Sequence, residues 1–496
     1  MFYKYTNKNV MTTLASSSPL TAAQLESKIY GCWMGKSIGG TLGLPCEGRT
    51  ERMSYSFYDP VPTIAPPNDD LELQLVWLRI VEKGGASLTR RDFADAWLKY
   101  LHYMWDEYGR CRWNLRRNVP VDALGAFENH FASGMGSPIR SEIWACLFPG
   151  DPASAAYYAA LDASLDHDIE GIYGEAFFAI VQSLAATGAD LTNAISTAWQ
   201  QLPTDNESAR AISLVITQHQ RSLPAWQARD LLLTQHDNDN FTHAPLNVAL
   251  AVWALLYGNG DFEASILLAV NAGYDTDSTA ATVGATIGLA LGIENLPAKW
   301  MQPIGDGVYL GPGVINLEEA PTTLKELTSR VAAQVGKLEP KQWSDLDWSN
   351  TAAQVDLRSL PGTITMRPTG MTVDLPWANG ELPQSVKQSG GAEWIWNKST
   401  AEPREIICLA RSGAKLFIDD NLIVDCPAHL PYVPATHRSP KGSRVRVDLG
   451  AGTYRVRVEL NSHLGDQEAS VILAYPNLHI CPWTAQELPH AALLPA

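Results

Sequence analysis

Apolar residues recur at the three- and four-residue intervals of amphipathic helices from about residue 21 to residue 335. No stretch in this range alternates as a half-buried strand does, so the pattern predicts an all-α domain over residues 21–335. Its first helix is predicted from Thr21 to about Gly43, because Thr21-Ala-Ala-Gln24 is typical of a capping box. Another amphipathic helix, rich in aromatic residues, is predicted over residues 87–108.

The hydrophobic period changes towards the C-terminus. Residues 336–375 carry turn residues with little helical periodicity and are predicted to form a linker and the first strands. Short strand-like runs follow, with clear two-residue alternation in two of them. Half a dozen runs in about a hundred residues predict an antiparallel β-sandwich over residues 376–496, so the expected fold class is multidomain, all-α followed by β. The clearest runs are 406–410, 415–419, 444–449, 453–460 and 470–475.

Glycines at intervals of four lie along one ridge of each of two predicted helices and leave a surface that another helix can approach closely. The first ridge is Gly31, Gly35, Gly39 and Gly43, and the second is Gly284, Gly288 and Gly292. We expect the two ridges to face each other in one core. That contact would bring the helix ends, with Glu47 on one side and Asp275 and Asp277 on the other, towards one site.

The segment that starts the second glycine helix contains Asp275-Thr-Asp277-Ser278. Residues two apart point to different sides of a helix, so these two carboxylates converge only where the backbone turns. Ser278 and Thr279 are suited to cap the helix that follows. Carboxylates and hydroxyls at such a turn suit a hard cation such as Mg²⁺, Mn²⁺ or Ca²⁺. An Asx-turn with solvated acids explains the same short motif, and taken alone it is the commoner explanation.

A second acidic cluster is Asn68-Asp69-Asp70-Leu-Glu72, which follows two prolines. Asn68 or Asp69 can cap a helix that runs to about residue 81, and acids in a first turn favour the helix dipole. Three acids in four positions also repel one another, which is less expected without a cation. Glu47 leaves the first glycine helix into a loop, where it is either a solvated acid or a site acid.

Two further polar segments are candidates for binding. Ser133-Gly-Met-Gly-Ser137 is a glycine-rich loop that leads to Arg140, and the N–H groups of such a loop can hold an anion. His167 lies in a polar stretch before an apolar helix, and it either contacts a ligand or is a satisfied loop histidine. The basic residues of segment 110–117 are interpreted as a solvated face.

Composition limits the partners. The chain has 496 residues and a net charge of −16, which argues against nucleic acid or an anionic membrane as the main partner. Seven scattered cysteines without a C-x-x-C motif favour a reducing compartment. Residues 1–20 lack the apolar core of a signal peptide and are predicted to be a disordered lead-in to a cytoplasmic protein. No apolar run is long enough to predict a membrane-spanning helix.

Taken together, these motifs resemble the ADP-ribosylglycohydrolase family over roughly residues 22–335. The resemblance is carried by the first glycine ridge with Glu47, the Asn68-Asp69-Asp70 cluster, Asp162 with His167, and the segment from Asn271 to the second glycine helix. It implies an all-α fold with two Mg²⁺ ions, sometimes Mn²⁺, between the two acidic motifs. By position, the implied metal ligands are Asn68, Asp69, Asp70, Asp275, Asp277 and Ser278. Asn68 and Leu71 stand where the family motif has threonines.

The resemblance also implies cleavage of a glycosidic bond at a ribose-type anomeric carbon. Glu47, Asp69 or Asp70 would take a proton from water or stabilise positive charge in the transition state. The substrate would be a small molecule or a glycoconjugate. Its implied contacts are Ser133, Gly134, Gly136, Ser137, Arg140, His167 and Tyr274.

Alternatives remain open at this stage. The glycine-rich loop has no accompanying lysine, so another furanoside or a nucleoside-like substrate is an alternative to ADP-ribose. A non-catalytic ligand-binding protein is an alternative of another class. Residues 413–425 are similar to the strand-turn-strand of protective-antigen-like or carbohydrate-binding sandwiches, although the C-terminal domain could instead be a stabilising or oligomerising module.

Overall fold

The computed structural model describes residues 20–101, 103, 106–116, 118–127, 129–311, 313–346, 363–366, 373–376, 390–398, 400–428, 442–461, 469–474 and 491–493. Nearly all of the predicted lead-in lies outside these residues, as does most of the predicted linker. The chain forms two compact units. One unit contains residues up to 102 and residues 131–350, and the other contains residues 103–130 and those from 351 onward.

Fifteen α-helices and no strand occur in the described residues up to 346, which confirms the predicted helical domain. The helices are α1 (Ala22–Gly43), α2 (Asp69–Lys83), α3 (Arg90–Tyr100), α4 (Asp106–Arg116), α5 (Glu142–Leu147), α6 (Pro152–Ala163), α7 (Ile169–Ala186), α8 (Leu191–Trp199), α9 (Glu207–Gln220), α10 (Ala225–His236), α11 (Ala244–Tyr257), α12 (Phe262–Ala272), α13 (Thr276–Leu291), α14 (Ala298–Ile304) and α15 (Leu324–Ala332). Among the described residues, no helix combines the length and apolar character that crossing a bilayer requires.

The single helix predicted over residues 87–108 is wrong. Helix α3 ends at Tyr100, and Leu101, the residue after it, is extended with φ −105° and ψ 127°. Asp106, where α4 begins, has a left-handed φ of 45°. The break matters for the domain organisation, because residues 103–130 belong to the same compact unit as the C-terminal strands.

Helices α1 and α13 pack with their glycine ridges against each other, as the four-residue spacing predicts. A methyl group on Gly35 would lie 2.1 Å from the carbonyl oxygen of Gly284, and one on Gly284 would lie 2.2 Å from that of Gly35. A methyl group on Gly39 would lie 2.0 Å from the carbonyl oxygen of Ala280. Because real side chains never approach backbone this closely, only glycine permits the two helix axes to lie at this distance.

The described strands of the second unit form two sheets. They are β1 (Thr363–Met366), β2 (Val373–Pro376), β3 (Gly391–Lys398), β4 (Arg404–Ala410), β5 (Ala414–Ile418), β6 (Asn421–Cys426), β7 (Arg444–Val447), β8 (Gly452–Leu460), β9 (Ala469–Ala474) and β10 (Ala491–Leu493). One sheet has the order β2-β1-β10-β3-β8-β5-β6, and the other has the order β7-β4-β9. All pairs are antiparallel except β1 with β10.

One apolar core joins the two sheets, which confirms the predicted sandwich. Trp394 and Trp396 from the larger sheet and Ile406 from the smaller sheet are buried in the same cluster. The hairpin between β5 and β6 turns at Asp419 and Asp420, whose φ values are 47° and 66°. Two successive positive φ values are typical of the type I′ turns that match the twist of a hairpin.

Candidate active site

Three carboxylates meet where α1 and α13 end. One oxygen from each of Glu47, Asp275 and Asp277 lies within 4.8 Å of the other two. Asp275 and Asp277 are 3% and 5% exposed, whereas Glu47 is open to solvent. The predicted convergence of these three residues is therefore confirmed, and we call them the acidic corner. An oxygen-only set of this kind fits a hard divalent cation.

The start of α13 arranges the two aspartates. Asp275 is the N-cap residue of this helix, so the expectation that Ser278 or Thr279 would cap it is wrong. Ser278 lies in the first turn, and its hydroxyl hydrogen-bonds to the Asp275 carboxylate. The two aspartates converge because Asp275, with φ −87° and ψ 74°, lies just outside the helix. One oxygen of Asp277, Oδ1, is buried without a hydrogen-bond partner among the described residues.

The loop that carries Glu47 is fixed to the segment before α13. Gly48 donates its N–H to the Tyr274 carbonyl at 2.9 Å, and Tyr274 donates its N–H to the Arg49 carbonyl at 2.7 Å. Arg229 joins the same two segments, because its Nη2 donates to the carbonyl of Thr50 at 2.9 Å and its Nε to that of Ala272, also at 2.9 Å. Motif reasoning missed Arg229, since its partners are backbone atoms of distant segments.

Tyr274 stabilises the turn before α13. Its φ is 70°, a strained value for a tyrosine that the paired backbone bonds to the Glu47 loop maintain. The side chain is 3% exposed, and its hydroxyl donates to Asp237 Oδ1 at 2.5 Å. The substrate contact predicted for Tyr274 stays a prediction.

The second acidic motif reaches the acidic corner through Asn68. Its Nδ2 donates to Asp277 Oδ2 at 3.2 Å, so the two motifs meet although 209 positions separate them. Its Oδ1 accepts the Asp70 N–H at 2.7 Å and caps α2, as the sequence predicts. The expected use of this oxygen as a metal ligand stays a prediction, since an amide oxygen has a second lone pair beside the one that accepts this N–H.

Asp70 is paired with a buried lysine that motif reasoning did not single out. Lys36 Nζ lies 3.6 Å from Asp70 Oδ1 and 3.0 Å from Glu142 Oε1, and all three side chains are at most 2% exposed. The ammonium also donates to the Ile139 carbonyl at 2.7 Å. Gln74 completes the network by donating to Glu142 Oε2 at 2.9 Å. A signal existed in the sequence, since Lys36 is the only charged residue between positions 29 and 43.

Burial raises the pKa values of the clustered acids. The pKa of Asp275 is raised well above its usual value, first by burial and then by the charges of Asp277 and Glu47. Burial likewise raises the pKa of Asp70, although Lys36 opposes the shift. The pKa of Asp277 is raised by burial against several hydrogen bonds that lower it. These aspartates therefore hold protons more tightly in the folded chain than in the unfolded one, unless a cation neutralises them.

Comparison with known proteins identifies the helical domain. The sequence profile described as ADP-ribosylglycohydrolase matches residues 21–339. The chain belongs to the ADP-ribosylglycohydrolase family. An uncharacterized protein of Archaeoglobus fulgidus is 23% identical over 322 residues, which are 62% of this chain and 99% of that protein. A solved structure named "ADP-ribosylglycohydrolase-related protein complex" is 19% identical, covers 63% of this chain and 99% of its own, and has a TM-score of 0.43.

In this ADP-ribosylglycohydrolase domain, the glycine-rich loop is attached to the start of α11. Ser133 accepts the Ala244 N–H at 2.7 Å, and Gly134 forms an isolated bridge with His243. Asn247, one turn into α11, accepts the Asp275 N–H at 3.2 Å and so connects this region to the acidic corner. The substrate contacts predicted for Ser133, Gly134, Gly136 and Ser137 stay a prediction.

Arg140 belongs to a separate buried group, which we call the arginine cluster: Arg140, Asp162, Asp166 and Glu175. All four side chains are 0% exposed. The guanidinium donates to Asp162 at 3.0 Å, to Asp166 at 2.7 Å and to the Gly136 carbonyl at 2.8 Å. The donors of Arg140 therefore bind groups inside the domain, and its predicted substrate contact stays a prediction.

His167 lies beside the arginine cluster. It is 1% exposed, and its Nδ1 lies 2.9 Å from Asp166 Oδ1. A methyl group on Gly171 would lie 2.5 Å from the imidazole Cδ2, so the ring is packed against the first turn of α7. The substrate contact predicted for this residue stays a prediction.

Proposed function

We propose that the helical domain is a divalent-cation-dependent hydrolase that cleaves a glycosidic bond at a ribose-type anomeric carbon. Membership of the ADP-ribosylglycohydrolase family supports glycohydrolase-like chemistry. The observation that carries the cation dependence is the acidic corner, in which one oxygen from each of three carboxylates lies within 4.8 Å of the other two and Asp277 Oδ1 is buried without a hydrogen-bond partner among the described residues. Such a group is unfavourable without a counter-charge.

The residues of the corner have distinct roles under this proposal. Asp275, Asp277 and Ser278 would hold the cation, which when bound supplies the charge that orients vicinal sugar hydroxyls and acidifies a water. Glu47 is the exposed member of the corner, so substrate and water can reach it. Its carboxylate is suited to accept a proton from the attacking water or to stabilise positive charge that develops at the anomeric carbon.

The two aspartates of the Asn68-Asp69-Asp70 cluster have different surroundings. Asp70 is 2% exposed and its Oδ1 lies 3.6 Å from the Lys36 ammonium, so it is less accessible to substrate than Glu47, and it stays a candidate ligand for the cation. Asp69 lies at the first position of α2 beside the Asn68 amide that reaches Asp277. It therefore remains a candidate for the cation or for the attacking water.

Turnover assays over a substrate panel test this function. We would assay nitrophenyl furanosides of ribose and arabinose beside ADP-ribosyl-arginine and ADP-ribosyl-serine peptides, with Mg²⁺, Mn²⁺ or Ca²⁺ and after chelation. We expect cation-dependent release from at least one member. Asp275→Ala with Asp277→Ala should abolish it without unfolding the protein, whereas Asp95→Ala with Glu319→Ala removes two exposed acids and should not.

Other results of these assays would support different functions. Turnover that survives both chelation and loss of the two aspartates rejects a metal-dependent hydrolase. Release from a furanoside but from no ADP-ribosyl peptide identifies the alternative substrate class. Measurable affinity for panel members without any turnover favours a ligand-binding protein, and binding that requires residues 390–496 assigns the recognition to the sandwich.

A further inference from the structure

We infer that a pocket beside the acidic corner receives the group attached to the sugar through the bond to be cleaved, and that this group is uncharged and aromatic. The inference rests on the proposed function and names a part of the substrate that this function leaves open. The pocket, which we call the Tyr309 pocket, encloses about 420 Å³ including its open mouth. It lies between α1, the start of α2 and segment 307–309. Its lining includes Lys36, Gly40, Ala65, Asn68, Asp70 and Tyr309.

Asn68 connects the Tyr309 pocket to the acidic corner. Its side chain lines the pocket, and its Nδ2 donates to Asp277 Oδ2 at 3.2 Å. On the α1 side the wall is Gly40, where a methyl group would lie 3.4 Å from Asn68 Nδ2. A ligand group in the pocket therefore contacts a residue that itself contacts the corner.

The lining changes from polar to apolar between the buried end and the mouth. Lys36 and Asp70 form the buried end and are 1% and 2% exposed. Both carboxylate oxygens of Asp70 are buried without a hydrogen-bond partner among the described residues, so this end can still receive a polar group. At the mouth, Ala65 is half-buried and Tyr309 is 44% exposed. A ligand that matches this order has its polar sugar inward and an apolar group at the mouth.

The ring of Tyr309 is held at the mouth by its own segment. A methyl group on Gly307 would lie 2.6 Å from the Tyr309 hydroxyl oxygen and 2.7 Å from Cε2, so the ring lies against the Gly307 backbone. The segment is fixed in turn, because Val308 donates its N–H to the Thr322 carbonyl at 2.9 Å. The exposed part of a ring held in this way can stack on an aromatic group of a ligand.

The charges of the lining disfavour an anionic group. Asp70 and Glu72 contribute carboxylates, and Lys36 contributes an ammonium. That ammonium also lies 3.0 Å from Glu142 Oε1, so its charge is shared with a further acid. A phosphate or carboxylate in the pocket would be repelled by the carboxylates of the lining. The pocket therefore suits a neutral group and not the diphosphate of ADP-ribose.

Binding of sulfur-linked ribofuranosides tests the pocket, because a thioglycoside resists hydrolysis and its affinity can be measured without turnover. We would titrate the full chain with Mn²⁺ present and measure the dissociation constants of the phenyl, 4-carboxyphenyl and methyl compounds by calorimetry. We expect the phenyl compound to bind at least about 10-fold more tightly than the methyl compound, because part of the ring is buried. The carboxyphenyl compound should lose this advantage. Equal affinities of the phenyl and methyl compounds, or no binding of either, would overturn the inference.

Two substitutions locate the binding of the ring. Tyr309→Ala removes the aromatic wall and Ala65→Trp fills the mouth, so both should abolish the phenyl advantage and leave the affinity for the methyl compound unchanged. Leu231→Ala is the matched control, because Leu231 is 39% exposed on α10 and lies outside the lining. That control should keep the advantage. A phenyl advantage that persists in both pocket variants would overturn the assignment.

The same measurements separate this inference from the proposed function. Cation-dependent turnover of the substrate panel without any phenyl advantage overturns the inference alone. A phenyl advantage that depends on Tyr309, without turnover of any panel member, supports the pocket and counts against the hydrolase.

Discussion

The acidic corner and the arginine cluster both gather carboxylates in the helical domain, but their charged neighbours differ. In the arginine cluster, one guanidinium contacts Asp162 and Asp166 and lies 3.9 Å from Glu175. In the acidic corner, the two buried members Asp275 and Asp277 lie close to each other and to Glu47. Carboxylates therefore gather in this domain either around a buried guanidinium or beside one another.

The pKa values follow this difference. The pKa of Asp166 is lowered to about 2, because the charges of Arg140 and His167 outweigh the effect of burial. The pKa of Asp162 is raised by burial to only about 6, since Arg140 opposes the shift. Burial and the charges of Asp277 and Glu47 raise the pKa of Asp275 well above its usual value. Arg140 thus offsets the cost of burying the acids around it, whereas an added cation would stabilise the ionised acids of the corner.

The largest effect is expected from removing the positive charge of Arg140 from the arginine cluster. Arg140→Met leaves Asp162 and Asp166 buried without their partner, and we expect the free energy of unfolding to fall by about 3–5 kcal/mol. Chemical denaturation measures this loss. Arg91→Met is the matched control, because it removes an exposed arginine paired with Asp95 and should change little. Equal effects of the two substitutions would contradict the role given to the arginine cluster.

Removing an acid from the corner should have the opposite effect on stability. Asp277→Asn deletes a cation ligand, so we expect the affinity for Mn²⁺ to fall by at least about 100-fold, beyond what loss of an outer-shell partner costs. The metal-free variant should be as stable as the wild type or more stable, because like charges no longer face each other. Calorimetric titration and thermal unfolding test the two statements. A destabilised metal-free variant with normal Mn²⁺ affinity would show that Asp277 is structural.

A smaller effect is expected from the residue that positions the Glu47 loop. Arg229→Gln removes the bonds to the Thr50 and Ala272 carbonyls, and we expect about a 10-fold loss of Mn²⁺ affinity, as for outer-shell partners of metal ligands. Arg229→Lys should recover part of it. Glu47→Gln combined with Arg229→Gln should be no worse than Glu47→Gln alone. Additive losses would mean that Arg229 acts without involving Glu47.

The smallest expected effect is on how the stability of the fold changes with pH. The direction of this change should reverse when a divalent cation is bound. In the metal-free protein the raised pKa values of Asp70, Asp275 and Asp277 mean that the folded state binds more protons than the unfolded state. The contribution of these groups to stability is therefore present below 3.8 and is lost as pH rises through the raised values. Saturating Mn²⁺ keeps them ionised and should reverse the trend. Unfolding temperatures across pH with and without Mn²⁺ would show parallel curves if the corner binds no cation.

The arginine cluster supplies an internal contrast in the same experiment. Asp166, with its pKa lowered to about 2, contributes stability that is present above 3.8 and is lost as pH falls through about 2. That loss in acid should not depend on Mn²⁺.

Local sequence patterns determined the elements and much of the acidic corner. The four-residue glycine spacing predicted the α1–α13 contact, since it fixes which residues share one side of a helix. Two-residue alternation likewise predicted strands close to those observed at 444–447 and 452–460. Asp275 and Asp277 were predicted to meet Glu47 because each lies at an end of a glycine helix.

Only the tertiary structure decided which charged residues serve the site and which serve the core. Lys36 and Glu142 are 106 positions apart, and Arg140 and Asp166 are 26 apart, so no local period relates them. Local patterns also do not predict that residues 103–130 belong to the same compact unit as the C-terminal strands. Whether a buried acid is neutralised from within or needs an external cation depends on distances between remote segments. The spacing of residues along the chain does not contain those distances.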